Sequence, residues 1–536
     1  MVKKSAIFQP AKDYSSASAI YMQTRKPLFK GEKKNNLNIG VKGGSFSTIN
    51  PSLLWEHRFN EQISSSISTE YMYTSGRYKF TYAKKDGYDT TAVRQNGDVR
   101  MLRLENAFFG KIPKGEWKAK AYLYNSERGY PGAAVREEPG KFRHQDRQWD
   151  TNLFVQGSFQ NYFKPWYSLL ANGKYAYDYL HYLSDPRLDV TTMYVDNHYR
   201  QQEIYASAAH LFTIYPWWSM SLSNDFQWNT LRADLIDFVY PTRNTILTSA
   251  ATSFDFNRLM LQASLLYTHV DDNTRTKGAN AGTKNKYTPS VIATWQPLTK
   301  FPLNVRAFYK KVFRMPTLND LYYTFIGNKD LKPEYTTQYD VGITFSHTWN
   351  NHWLKSLDLQ IDGYYNEVDD KIIAMPTSNQ FRWTMINLGH VEIRGLDAAI
   401  RGEWGFGKVE LSTLFNYTYQ KAQDFTDPTS EWYGGQIPYI PWHGGSIILN
   451  GSYQTWSCNY SFIYTGERYE AVANIPENYA QPWYTHDFSL SKTFQWGKTG
   501  IRVTAEINNI FNQQYEVVQC YPMPGTSFKI KLNVML

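Results

Sequence analysis

Apolar and polar residues alternate with a period of two along most of the chain. Phe528, Ile530, Leu532, Val534 and Leu536 interleave with Lys529, Lys531, Asn533 and Met535. Leu259, Leu261, Ala263, Leu265 and Tyr267 do the same with Gln262, Ser264 and Thr268, and Leu359, Ile361, Gly363 and Tyr365 with Asp358, Gln360, Asp362 and Tyr364. A repeat of 180° per residue sends successive side chains to opposite faces of a strand. The joins between runs also alternate. "WGFGK" (404–408) and "QWGKTG" (495–500) are short, whereas residues 126–148 and 271–286 are long and polar. Tight turns at one end and long loops at the other, maintained over the whole chain, predict an all-β fold. The architecture is a transmembrane antiparallel barrel with short periplasmic turns and long extracellular loops. An average of about 24 residues per strand and its connection gives on the order of 22 strands. No fixed internal period is present, which argues against a propeller.

Composition strengthens this picture. The 536 residues include 42 Tyr, 30 Phe and 17 Trp, yet the mean hydropathy is −0.54. A soluble core takes most of its volume from Leu, Ile and Val, while a membrane barrel needs Tyr and Trp at both interfaces and a polar lumen. No stretch approaches the roughly 18 apolar residues of a helical span, so a helical membrane protein is excluded. A barrel strand needs only about 9 to 11 residues with every second one apolar. The net charge of +9 is spread among 48 acidic residues with no basic run, so no nucleic-acid partner is expected. Cys458 and Cys520, each in a strand-like run, are too few for a disulfide framework or a zinc cluster. "MVKKSAIFQPAKDY" has the lysines of a signal peptide, but Gln9, Pro10, Lys12 and Asp13 break the apolar stretch that should follow, so no signal peptide is read there. Gly-x-Ser-x-Gly, His-Glu-x-x-His and P-loop motifs are absent, and no enzyme is expected.

One stretch interrupts the alternation. In "FRMPTLNDLYYTFIGNKDLKPEYTTQYDVG" (313–342), strand-like runs flank a connection from residue 314 to 334. Pro316 and Pro333 lack the amide donor a ladder needs. Gly327 and Asn328 are residue types that tolerate positive φ. Tyr322, Tyr323 and Phe325 put apolar rings on a loop, which is costly unless they pack or bind.

This stretch resembles the Arg-x-Pro-Thr…Leu-Tyr…Gly-Asn-x-x-Leu-Lys-Pro-Glu signature of TonB-dependent outer-membrane receptors. "NLGHVEIRGLDAAIRGEW" (387–404) and the carboxy-terminal "EINNIFNQQYEVVQCYPMPGTSFKIKLNVML" resemble two further signatures of that family. The resemblance implies uptake of a scarce ligand across the outer membrane, either a ferric siderophore or a corrinoid such as vitamin B12. Haem is disfavoured, because residues 315–333 lack the axial His of haem receptors. It also implies a TonB complex as partner, outer-membrane lipids around a monomer, and no cofactor. "ASAIYMQTRKP" (17–27) resembles the end of the family's plug. Residues 1–27 are therefore read as the remnant of the plug end and linker, and 28–536 as the barrel, which leaves the expectation of an incomplete chain. A passive pore or non-functional truncated barrel is the alternative, and a soluble β-rich binding protein the third. Leu536 departs from the terminal aromatic usual in such barrels.

Ligand-binding candidates on extracellular loops are Arg128, Tyr130 and Arg136, with Lys141 and Arg143 nearby, and Arg314, Tyr322, Tyr323, Phe325 and Asn328. Arg and Tyr at a mouth can hold an anionic chelate by bidentate and stacking contacts. Pro316, Asp320, Gly327, Leu331, Pro333, Glu334, Asn509, Phe511, Asn512 and Tyr515 match the family signatures and are read as structural. No metal site is assigned. His347 and His352 have no zinc spacing, and the acid pairs Asp271–Asp272 and Asp369–Asp370 are read as solvated loop charges.

Overall fold

A computed structural model describes residues 6–18, 22, 24–83, 89–134, 146–185, 194–276, 281–323, 327–350, 353–376 and 383–536. The first strand, Asn35–Gly44, pairs antiparallel with Thr48–Arg58 on one side and with the last strand, Ser527–Met535, on the other. The sheet therefore closes on itself, and no edge is left to expose unpaired backbone to lipid. Among the described residues the sheet has 23 strands. One of these, Gly435–Gln436, is a two-residue addition to a neighbour's end, so 22 close the barrel, in line with the number expected from the chain length.

The 22 barrel strands range from Ser527–Met535 at 9 residues to Trp383–Phe406 at 24. The bilayer needs only the short end of that range, so the longer ladders rise beyond it at the long-loop end. This shortens two of the expected loops. Gly115–Tyr130 pairs with Asp146–Lys164 out to Tyr130 opposite Asp146, and Thr283–Trp295 begins opposite Asp271. Above the membrane a strand can carry polar residues on both faces, so alternation disappears before the ladder does.

The two faces of the wall differ as a barrel requires. Along Val195–Tyr215, Tyr199, Ser207, Ala209 and Leu211 are buried towards the lumen, whereas Ile204 and Ile214 are exposed on the outside. Leu222, Phe226, Ile246, Leu265, Val291, Val341 and Ile400 continue the outer apolar band. Trp166, Trp217, Trp295, Trp353, Trp456 and Trp496 are exposed at the short-turn end, forming an interfacial aromatic girdle. Cys520 departs from expectation. It lies in the connection after Thr499–Asn508, buried and with φ +63°, while Cys458 is in Trp456–Thr465, and the two form no disulfide.

Before the first strand, residues 7–16 lie against the inside of the wall. Ile7 and Phe8 pack on Ala209, Leu211 and Ala251, and Ala11 packs on Leu247 and Leu266. The Asp225 carboxylate accepts the N–H groups of Ala11 (3.1 Å) and Lys12 (2.8 Å) at the start of the 3₁₀ turn Ala11–Tyr14. Ser223 donates its hydroxyl to the Gln9 carbonyl (2.8 Å), and Lys310 Nζ donates to the Ser16 carbonyl (2.6 Å).

Candidate functional site at the mouth of the barrel

The connection between Leu303–Arg314 and Glu334–Thr348 turns inward. Thr317 caps the helical turn Leu318–Tyr322: its hydroxyl accepts the Asp320 N–H (3.1 Å), and the Asp320 carboxylate accepts the Thr317 N–H (2.8 Å). Leu318, Leu321, Tyr322 and Leu331 are buried in one cluster with Tyr199, Leu231, Val239 and Ile372, and the Tyr323 ring stacks on Tyr199 at 4.3 Å. The loop thus reaches strands four and five places along the wall. Burial pushes the Tyr322 and Tyr323 phenols up, that of Tyr323 to about 12.

Polar anchors hold the loop in that position. The Pro316 carbonyl accepts Arg243 Nη1 (2.6 Å), and the same guanidinium grips Asp272 through Nε (2.6 Å) and Nη2 (2.7 Å). The Asp272 side chain is only 2% exposed, so this half of the acid pair is a buried ion-pair partner and not a solvated loop charge. Asn387 accepts the Lys332 N–H (2.8 Å) and donates to the carbonyls of Lys332 (3.1 Å) and Asp370 (2.7 Å). Glu334 accepts the Ile372 N–H (2.9 Å). The Arg314 guanidinium stands 3.7 Å from Asp320 and 3.6 Å from Glu334. Asn328 donates its side-chain amide to Met385 O (3.0 Å) and its N–H to Asp320 O (2.8 Å). Neither Gly327 nor Asn328 has a positive φ. Gly327 answers a close approach instead, since a Cβ there would sit 2.6 Å from the Tyr323 carbonyl oxygen. Pro333 lies in the connection just before the strand Glu334–Thr348.

The carboxy-terminal signature forms a second knot. Asn509 (φ +50°) and Asn512 (φ +51°) occupy the left-handed region that Asn tolerates. The Asn509 side chain accepts the Gln513 N–H (2.9 Å) and donates to the carbonyls of Gln513 (2.9 Å) and Pro524 (3.3 Å), while Asn512 accepts the Thr526 N–H (3.0 Å). Phe511 meets His486 edge-on at 4.7 Å, and Tyr515 stacks on Trp483 at 4.8 Å. Two arginines that the sequence reading did not single out lock neighbouring loops to this knot. Arg468 donates to the carbonyls of Gln481, Glu516 and Val517, and Arg94 donates to Gly132 O and lies over the Tyr521 ring. Their signal is burial on loops, which composition does not show.

Of the remaining candidates, Arg128 and Tyr130 face the lumen near the rim. Arg128 pairs with Asp150 (3.0 Å), and Tyr130 donates its hydroxyl to Gln148 (2.9 Å). The charge of Asp150 helps to raise the Tyr323 phenol, so these two candidate groups share one side of the mouth. Arg136 and Phe325, like Lys141, Arg143 and His352, lie outside the described residues. Because Asn387 satisfies three backbone groups, Asn387→Ala is expected to cost about 2 kcal/mol and to raise hydrogen exchange at the Lys332 amide.

A closed 22-strand antiparallel barrel with inward-pinned loops is the architecture of an outer-membrane β-barrel protein. The chain belongs to the TonB dependent receptor-like, beta-barrel family, whose match spans residues 33–510. Among curated relatives, the vitamin B12 transporter BtuB of Photobacterium profundum is 28% identical over 244 residues, 44% of this chain and 36% of its own length. The vitamin B12 transporter BtuB of Vibrio vulnificus (strain YJ016) is 31% identical over 207 residues, 38% of this chain and 29% of its own. The chain thus spans about a third of the length of these relatives. Among solved structures, the copper transporter OprC superposes with a TM-score of 0.72 at 14% identity, covering 96% of this chain and 82% of that one. The siderophore receptor PiuA from Acinetobacter baumannii gives 0.72 at 12% identity, covering 94% and 82%. At these identities the structures show the fold alone.

Proposed function

We propose that this barrel is the wall and mouth of an energised importer for a scarce chelate, a corrinoid or a ferric siderophore, and that residues 1–27 are the end of a plug. The observation that carries this reading is the connection 315–333, pinned inward by Arg243, Asn387 and the Tyr199–Tyr323 stack beside the Arg128–Asp150 pair. A passive pore gains nothing from rings and ion pairs held over its lumen, whereas a receptor uses such a surface to select cargo. The reading also includes a TonB complex pulling on the plug, and location in the outer membrane. The B12 transporters among the relatives support the corrinoid arm, while the ferric arm rests on the family signatures in the sequence.

The test is a binding titration of the detergent-solubilised chain with cyanocobalamin and, separately, with ferric catecholate and hydroxamate chelates. One class is expected to saturate the protein, and Arg128→Ala is expected to weaken it at least about tenfold, which corresponds to roughly 1.4 kcal/mol. An intact barrel that binds neither class, and conducts ions freely in a planar bilayer, would replace this reading with the passive pore.

A further inference from the structure

The outer face of the wall carries a cluster that the uptake reading does not use. Strands Tyr167–Ser184 and Val195–Tyr215 pair so that His181 stands directly opposite His198. Tyr175 and Ile204 oppose each other in the same register and are exposed, so the period of two places His181, Asp196 and His198 on the outer face, at the long-loop end. The imidazoles stack with centroids 4.0 Å apart and planes 11° from parallel. Asp196 Oδ1 lies 2.7 Å from His181 Nε2 and 3.5 Å from His198 Nε2, and Asp234 Oδ2 is 3.8 Å from that second nitrogen.

We propose that His181, Asp196 and His198 form a binding site for a divalent transition-metal ion of the zinc class. Two imidazole nitrogens and a carboxylate oxygen suit zinc, copper or nickel, whereas magnesium and calcium favour all-oxygen sites. Bonds of about 2.0–2.1 Å in a tetrahedron separate donor atoms by roughly 3.4 Å. The 3.5 Å and 3.8 Å spacings are already close to that value, and Asp234 offers a fourth donor. To admit the ion the His181–Asp196 contact opens and the two imidazoles, whose lone pairs lie in near-parallel planes, tilt so that both Nε2 atoms converge.

A second shell supports the ligands. The Tyr179 hydroxyl lies 2.6 Å from His198 Nδ1, and if it accepts Nδ1–H, the Nε2 lone pair is left for the metal. The His198 N–H donates to Asp234 Oδ1 (2.8 Å), and the Trp149 ring stacks on His181 at 4.6 Å. A bound ion would tie this hairpin to the end of Trp218–Ala233 through Asp234. The site is independent of whatever the lumen transports.

The test is calorimetric titration of the metal-stripped, detergent-solubilised chain with Zn²⁺. One equivalent is expected to bind, with His181→Ala and His198→Ala each weakening it at least tenfold and Tyr179→Phe by about tenfold. X-ray absorption is expected to show nitrogen and oxygen neighbours, two of them imidazoles, and no sulfur, which separates this site from exposed Cys458. Should an alanine variant fail to fold, His181→Gln preserves the side-chain volume while removing the nitrogen ligand. No saturable zinc binding by the wild type, or binding unchanged in the folded variants, would overturn the proposal and leave a hydrogen-bonded His–Asp pair.

Discussion

Arg243→Ala is expected to release the connection 315–333 from the mouth while leaving the barrel closed. The guanidinium serves two partners at once, the Asp272 carboxylate through a bidentate pair and the Pro316 carbonyl through its remaining nitrogen. Removing it strands a carboxylate that is 2% exposed together with a buried carbonyl. Breaking a buried pair from one side costs about 3–5 kcal/mol, more than the pair's own net contribution, because the surviving buried charge loses its guanidinium partner. That penalty falls locally. The ladders on either side of Arg243 are set by backbone bonds, whereas the loop depends on this anchor, on Asn387 and on the packing of Leu318, Leu321 and Tyr322. Limited proteolysis should cut between residues 315 and 333 in the variant and not in the wild type. Arg243→Lys keeps the charge but not the fork, and is expected to fall between the two. Replacing both partners with leucine removes the stranded charge as well, so its loss should be smaller than that of the single variant. Unchanged protection in Arg243→Ala would show that Asn387 and the apolar cluster hold the loop without the guanidinium.

The difference between what was and was not legible in the sequence follows from where each contact acts. Alternation such as that of Phe528 to Leu536 records a solvent boundary, lipid on one side and a polar lumen on the other, so the barrel could be read directly, and chain length set its approximate strand number. Above the bilayer that boundary disappears. Residues 126–130 and 146–148, and likewise 271 and 283–286, look like parts of loops although they continue as ladders. Asp272 was misread for the same reason. Its partner Arg243 lies 29 residues away, and only the hairpin register places the two opposite each other. The rings of Tyr322 and Tyr323 posed a choice between packing and binding. The structure shows packing for both, with Tyr322 inside the cluster and Tyr323 on Tyr199. The outer-face histidines were invisible in the same way, since nothing in the sequence alone aligns residue 181 with 198.

Asp225→Ala is expected to free residues 6–18 from the lumen wall. This carboxylate, 3% exposed, accepts two backbone N–H groups of the 3₁₀ turn and the Tyr205 hydroxyl (2.7 Å), so one side chain fixes both the height and the direction of the segment. Without it the Ala11 and Lys12 amides have no acceptor in the wall, at a cost of about 1–3 kcal/mol for each orphaned donor. Against this stand the burial of Ile7, Phe8 and Ala11 and the two bonds from Ser223 and Lys310. The apolar contacts can slide along a wall of alanines and leucines, but the Asp225 bonds cannot, so position is lost before attachment. Hydrogen exchange at the Ala11 and Lys12 amides is the direct measurement. A loss of about 2.7 kcal/mol corresponds to roughly hundredfold faster exchange, while the barrel strands should keep their protection. Asp225→Asn retains one acceptor oxygen and is expected to recover part of the protection. Ser223→Ala removes only the bond to Gln9 and should change exchange at Ala11 far less. Equal effects from Asp225→Ala and Ser223→Ala would mean that the segment is held by its apolar side chains, with the carboxylate serving only the Tyr205 hydroxyl.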